Sequence, residues 1–140
     1  MTLVYEFSKS RSIDGSLILK PTIPLIVNSE IDIETQALID SGADISAMPI
    51  ALAERLCKIP DGAMSPGFGI GGPVEAIETE LSVTIGNESE RHSIKIPIKI
   101  LSTKSDFPFL LGRKGFFDEF VICFNQPEDS ISLQKASSQT

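Results

Sequence analysis

From Ile31 to Ile39 the chain alternates: Ile31, Ile33, Thr35, Ala37 and Ile39 fall on one face, and Asp32, Glu34 and Gln36 on the other. A period of two predicts a strand with one wet face. Leu38 breaks the pattern just before Asp40, where the strand is expected to enter the interior and become apolar on both faces. His92 to Leu101 alternates as well, with Ile94, Ile96, Ile98 and Ile100 on one face, and Pro97 suggests an edge strand. Leu17 and Leu19 alternate with Ser16, Ile18 and Lys20, and after Pro21 an apolar strand runs from Thr22 to Val27. Strands are also predicted for Val74 to Ile85, and Phe107 to Gly112 forms a dense apolar run. Val121 to Phe124 and Ser130 to Leu133 read as a closing hairpin around Asn125 to Asp129.

Turn signals separate these runs: Asn28-Ser29-Glu30, Gly86-Asn87 and the glycine-dense stretch Gly67 to Pro73. Helical spacing is clear in one place, Pro49 to about Leu56, where Ile50, Ala53, Leu56 and Cys57 recur on one face and Pro49 suits the first turn. A shorter helix is expected from Lys114 to Glu119. Many short strands and one or two short helices predict an all-β fold, a closed barrel or sandwich. Residues 1–134 are expected to form one domain and residues 135–140 a frayed polar tail.

Composition narrows the function classes. The chain has 140 residues and a net charge of −7, with a sequence pI near 4.6. An acidic surface repels phosphate backbones, and no basic run offsets it, so nucleic-acid binding is disfavoured. The N-terminal stretch MTLVYEFSKSR does not read as a signal peptide, and Pro, Asp or Gly breaks each apolar run short of a membrane span. A soluble, cytoplasmic protein with no membrane partner is therefore expected. Cys57 and Cys123 match no metal spacing and read as reduced, partly buried thiols, and His92, the single histidine, excludes a histidine-rich metal site.

The candidate chemistry centres on Ala37-Leu38-Ile39-Asp40-Ser41-Gly42-Ala43-Asp44. A carboxylate directly after an apolar strand and before a glycine is rigidly held, and Gly42 lets another backbone come close. Asp-Ser-Gly is also an ordinary turn, so the tripeptide alone decides little. It is accompanied by Phe109-Leu110-Leu111-Gly112-Arg113, an apolar pair followed by glycine and arginine, and by the glycine-rich segment between the two. Read alone, that segment is a hairpin or loop; no Lys-Ser/Thr follows it, which weakens a phosphate-binding reading.

In order and spacing these elements, from about Pro21 to Leu133, resemble the retropepsin-like aspartic proteases, especially their cellular and bacterial members. The resemblance implies a retropepsin-like closed β-barrel with one lobe per chain. It implies Asp40, Ser41 and Gly42 as the catalytic loop. Ala43, Asp44 and the flap residues Ile70, Gly71 and Gly72 would contact substrate, and Leu111, Gly112 and Arg113 would support the site. Arg113 is expected to pair with Asp44. Asp14-Gly15 and Asp61-Gly62 lack the preceding apolar strand, so the chain offers one catalytic aspartate. The second must come from a twofold partner, which implies a C2 homodimer acting on a peptide or protein substrate, with no metal or organic cofactor. Two alternatives stand beside this reading: a catalytically silent retropepsin-fold module for dimerisation or peptide binding, and an unrelated small β-barrel with a binding role.

Overall fold

Alternation in the sequence becomes a barrel because each amphipathic strand must bury one face against the others. The computed structural model describes residues 2–60, 65–69, 72–104 and 106–137. The elements run β1 (Thr2–Glu6), β2 (Ser8–Arg11), β3 (Leu17–Lys20), β4 (Thr22–Asn28), β5 (Ile33–Ile39), β6 (Ser46–Pro49), α1 (Ile50–Leu56), β7 (Ser65–Gly69), β8 (Gly72–Gly86), β9 (Arg91–Ser102), β10 (Phe109–Leu111), β11 (Phe120–Asn125) and β12 (Ser130–Lys135). Among the described residues no helix is long and apolar enough to cross a membrane.

Six strands close the barrel in the order β4-β5-β10-β6-β9-β8, with β8 returning to pair with β4. The strand β8 is the spine: β9 runs beside it from Glu75 to Gly86, while its Ser82–Thr84 stretch closes on β4 and its first residues pair with β7. The face predicted for β9 is the face observed. Ile94, Ile96, Ile98 and Ile100 are all buried, as are Ile23, Leu25 and Val27 of β4. Phe109 is fully buried between these walls; truncating such a phenylalanine to alanine costs about 3–5 kcal/mol.

A second sheet, β1-β12-β11, joins the two ends of the chain. Its inner face carries Leu3, Ile131 and Leu133, all buried. The predicted closing hairpin is present as β11 and β12, with Asp129 at φ 50° completing its turn. β2 and β3 form a separate hairpin whose apolar side chains Ile13, Leu17 and Ile18 are exposed.

The structure corrects four expectations. β5 begins at Ile33, and Ile31 lies exposed in a bend, because the Asn28 side chain bonds to Asp32 and extends the turn. β9 is an interior strand between β6 and β8. Pro97 is tolerated because β6 pairing begins only one residue later, at Ser46↔Ile98. The short helix expected over Lys114 to Glu119 is a single wide turn, Arg113–Phe117, interrupted by extended angles at Lys114 and by Gly115 at φ 83°. Gly115 passes close over β9, where a Cβ would stand 2.9 Å from Pro97 Cδ, so the backbone bends there instead of coiling. Both cysteines are free, but Cys123 is exposed on the outer face of β11, and only Cys57 is partly buried.

Candidate active site

β5 delivers Asp40. The Ile39 N–H donates to the Pro21 carbonyl at 3.0 Å on one side of the strand, and the Asp40 N–H donates to the Leu111 carbonyl at 2.9 Å on the other. β10 lies parallel to β5, with Leu111 beside Ile39, so the carboxylate leaves the strand at a point gripped from both sides. Asp40 is half-buried, while Ser41 and Gly42 are exposed.

The loop then folds back on its own aspartate. Asp40 Oδ1 accepts the Gly42 N–H at 2.9 Å, and the Ala43 N–H reaches the Asp40 carbonyl at 3.3 Å. At Gly42 a Cβ would sit 3.2 Å from Asp40 Oδ1, so a side chain there would press on the carboxylate. The other oxygen, Oδ2, accepts no hydrogen bond from a described residue. One oxygen is fixed and one is left for solvent or another group.

Behind the loop, three consecutive amides close the gap between β10 and the segment leading to β6. Gly112 N–H donates to Ser46 Oγ at 2.9 Å, Arg113 N–H to the Ala43 carbonyl at 2.9 Å, and Lys114 N–H to the Asp44 carbonyl at 2.9 Å. Leu111 and Gly112 are buried. The Gly112 backbone touches Ile45 so closely that a Cβ would stand 2.6 Å from the Ile45 carbonyl carbon. The sequence motifs around Asp40 and Gly112 thus meet in space, joined mainly through main-chain atoms.

The expected Asp44–Arg113 ion pair is a correction. The ion pairs of the described residues are Lys99–Glu78 and Lys135–Glu119, and His92 Nε2 hydrogen-bonds with Glu90 Oε2 at 2.6 Å. Asp44 and Arg113 are both exposed, and solvated charges gain little from pairing. Their backbones carry the connection instead. Ser46, which sequence reasoning passed over, does so with its side chain. Its signal was faint: one hydroxyl residue inside the apolar run from Ile45 to Leu52.

Where the flap is expected, β7 and β8 pair antiparallel from Ser65↔Ala76 to Gly69↔Gly72. Ile70 and Gly71, named as substrate contacts, lie outside the described residues. Gly72 opens β8. A cleft of about 620 Å³ lies between α1, Thr35 and Gln36 of β5 and the Asp106–Phe109 segment, and residues 40–44 do not line it. Among the described residues no group of three or more His, Cys, Asp or Glu side chains is placed to hold a metal ion.

No protein-family model matches the chain, and no curated protein matches it in sequence. Solved structures do match in shape. The chain is similar to a retropepsin-like aspartic protease from Rickettsia conorii, with a TM-score of 0.57 and 21% identity over 95% of this chain and 93% of that one. EIAV protease, solved in complex with the inhibitor HBY-793, aligns at a TM-score of 0.44 and 28% identity over 67% of this chain and 82% of that one.

Proposed function

The chain has the retropepsin-like fold, and from that premise we propose that it is an aspartic endopeptidase working as a C2 homodimer, with Asp40 from each subunit. The observation that carries the reading is the state of the Asp40 carboxylate: Oδ1 is held by the Gly42 amide, and Oδ2 has no partner among the described residues. A single fixed carboxylate is half of the required device. Two such groups within a few ångströms share a proton, because both cannot ionise easily. The ionised member takes a proton from water, the water attacks the scissile carbonyl, and the protonated member stabilises the oxyanion that forms. The titration belongs to the pair.

A twofold axis beside the loop brings Asp40 next to its mate, and Ser41 stands where the two loops would meet. The substrate would lie extended across the two loops and bond like an added strand. Ala43 and Asp44 would face it from below, and Ile70, Gly71 and Gly72 would close from above and exclude water. Leu111, Gly112 and Arg113 serve this site as support, and no metal or organic cofactor takes part.

Hydrolysis of a mixed peptide library at several pH values, by wild type and by Asp40→Asn, tests the proposal. Asparagine keeps the shape and removes the ionisable group. Wild type should cut and the variant should lose activity by several orders of magnitude, while both remain dimers on gel filtration. A folded wild-type dimer that cuts nothing would instead favour the silent peptide-binding module.

A further inference from the structure

Among the described residues, Ser46 is the polar side chain that is wholly buried, with no exposed surface. Buried hydroxyls are kept where they satisfy a specific partner. Here the partner is the Gly112 N–H, at 2.9 Å. The next two amides, of Arg113 and Lys114, find carbonyls at Ala43 and Asp44, but the Gly112 amide is met by a side chain. One residue upstream, the Leu111 carbonyl accepts the Asp40 N–H at 2.9 Å. Ser46 is thus connected to Asp40 by one hydrogen bond, one peptide unit and a second hydrogen bond.

We infer that Ser46 is a positioning residue for Asp40, setting through the end of β10 the place at which the carboxylate stands. The inference rests on the aspartic protease reading. Having no exposed surface, Ser46 touches no substrate, so its effect on the reaction is indirect, and its side-chain bond directs that effect to the end of β10. Alanine would leave the Gly112 amide buried without an acceptor. The end of β10 would then shift toward another acceptor and carry the Leu111 carbonyl and the Asp40 amide with it. Two facing carboxylates share a proton only at close spacing, so a small displacement alters both the rate and the titration of the pair.

The test compares wild type, Ser46→Ala, Ser46→Thr and Asp40→Asn in the full chain, on a peptide that wild type cleaves, from acid to neutral pH. Asp40 carboxyl titration is followed in parallel by carbon NMR. Ser46→Ala should lower kcat by about ten- to a hundredfold with KM unchanged. It should also displace the pH–rate profile and the Asp40 titration midpoint, and Ser46→Thr, which keeps the hydroxyl, should restore all three. A merely structural serine would change the folded fraction and the melting temperature but neither pH curve. The inference is overturned if folded Ser46→Ala retains the wild-type kcat, pH profile and Asp40 midpoint. If alanine prevents folding, Ser46→Cys, of similar volume and weaker acceptor strength, is judged by the same criteria. If wild type cleaves nothing, the protease reading fails, and the Asp40 midpoint in the Ser46 variants still decides whether the coupling exists.

Discussion

Replacing Gly112 by alanine isolates one contact on which the candidate site depends. Gly112 has φ −89° and ψ −178°, angles that alanine adopts without strain, so any penalty comes from space. The new Cβ would lie 2.6 Å from the Ile45 carbonyl carbon and 2.8 Å from both Ile45 O and Ser46 N. All three are backbone atoms and cannot rotate away. Restoring ordinary contact needs a separation of about 0.8 Å, which stretches the Gly112 N–H···Ser46 Oγ bond beyond useful length. Overpacking of this kind costs about 1–3 kcal/mol, and a buried amide left without an acceptor about 1–3 kcal/mol more. The sum, about 2–6 kcal/mol, is a large part of the stability of a domain this size. Urea unfolding followed by circular dichroism, at one fixed protein concentration, should show the midpoint falling by more than about 1 M with the slope unchanged. Gly15→Ala is the control: Gly15 sits at φ +87° with nothing within 4 Å of a Cβ, so only backbone strain of about 1–2 kcal/mol is expected. If Gly112→Ala loses no more than Gly15→Ala, the close approach of β10 to Ile45 does not organise the loop.

Asp14 and the cysteines carry two further predictions. The Ser12 hydroxyl, and then the Ser16 hydroxyl and amide, lower the Asp14 carboxyl from 3.8 to about 2. A depressed folded value means that its contribution to the β2–β3 hairpin is present above pH 3.8 and is lost as the pH falls toward 2. Carboxyl NMR should place the Asp14 midpoint near 2, and Ser12→Ala should raise it; an unchanged midpoint in that variant would remove the proposed cause. Burial pushes the Cys57 thiol up, and its Sγ–H donates to the Ala53 carbonyl at 3.5 Å, whereas Cys123 is exposed. Titration with a thiol reagent at neutral pH should therefore resolve a fast cysteine, absent from Cys123→Ser, and a slow one; two fast phases of equal rate would contradict the burial of Cys57.

The buried face of β9 and the closing hairpin β11–β12 were legible in the sequence, but the pairings between strands distant along the chain were not. Ile94, Ile96, Ile98 and Ile100 announce which side of β9 is buried, because side-chain alternation reports the pleat directly. Nothing in the alternation says that β10 runs parallel to β5 or that β1 pairs with β12 at the far end of the chain. Those pairings are made by backbone groups that every residue carries, so composition leaves no trace of them. The two glycines of the turn after β10 show the same division. Gly112 was visible as part of a motif, but its reason is a contact with Ile45 far away in sequence. Gly115 interrupts the expected helix near its start with φ 83°, and Pro97 beneath it leaves no room for a side chain.

The Asp44–Arg113 expectation failed for the same reason. Opposite charges in two motifs suggest a side-chain bond, yet the motifs are already joined by Arg113 N–H to Ala43 O and Lys114 N–H to Asp44 O. With the main chain making the connection, both side chains are free to reach solvent, and an exposed pair would add about 0–1 kcal/mol at most. The division of labour favours the chemistry proposed for Asp40. Main-chain bonds hold the loop that carries Asp40 whatever the ionisation of Asp44 and Arg113, so a proton shared between two such carboxylates does not depend on that side-chain pair. A buried hydroxyl, that of Ser46, completes the frame while adding no charge.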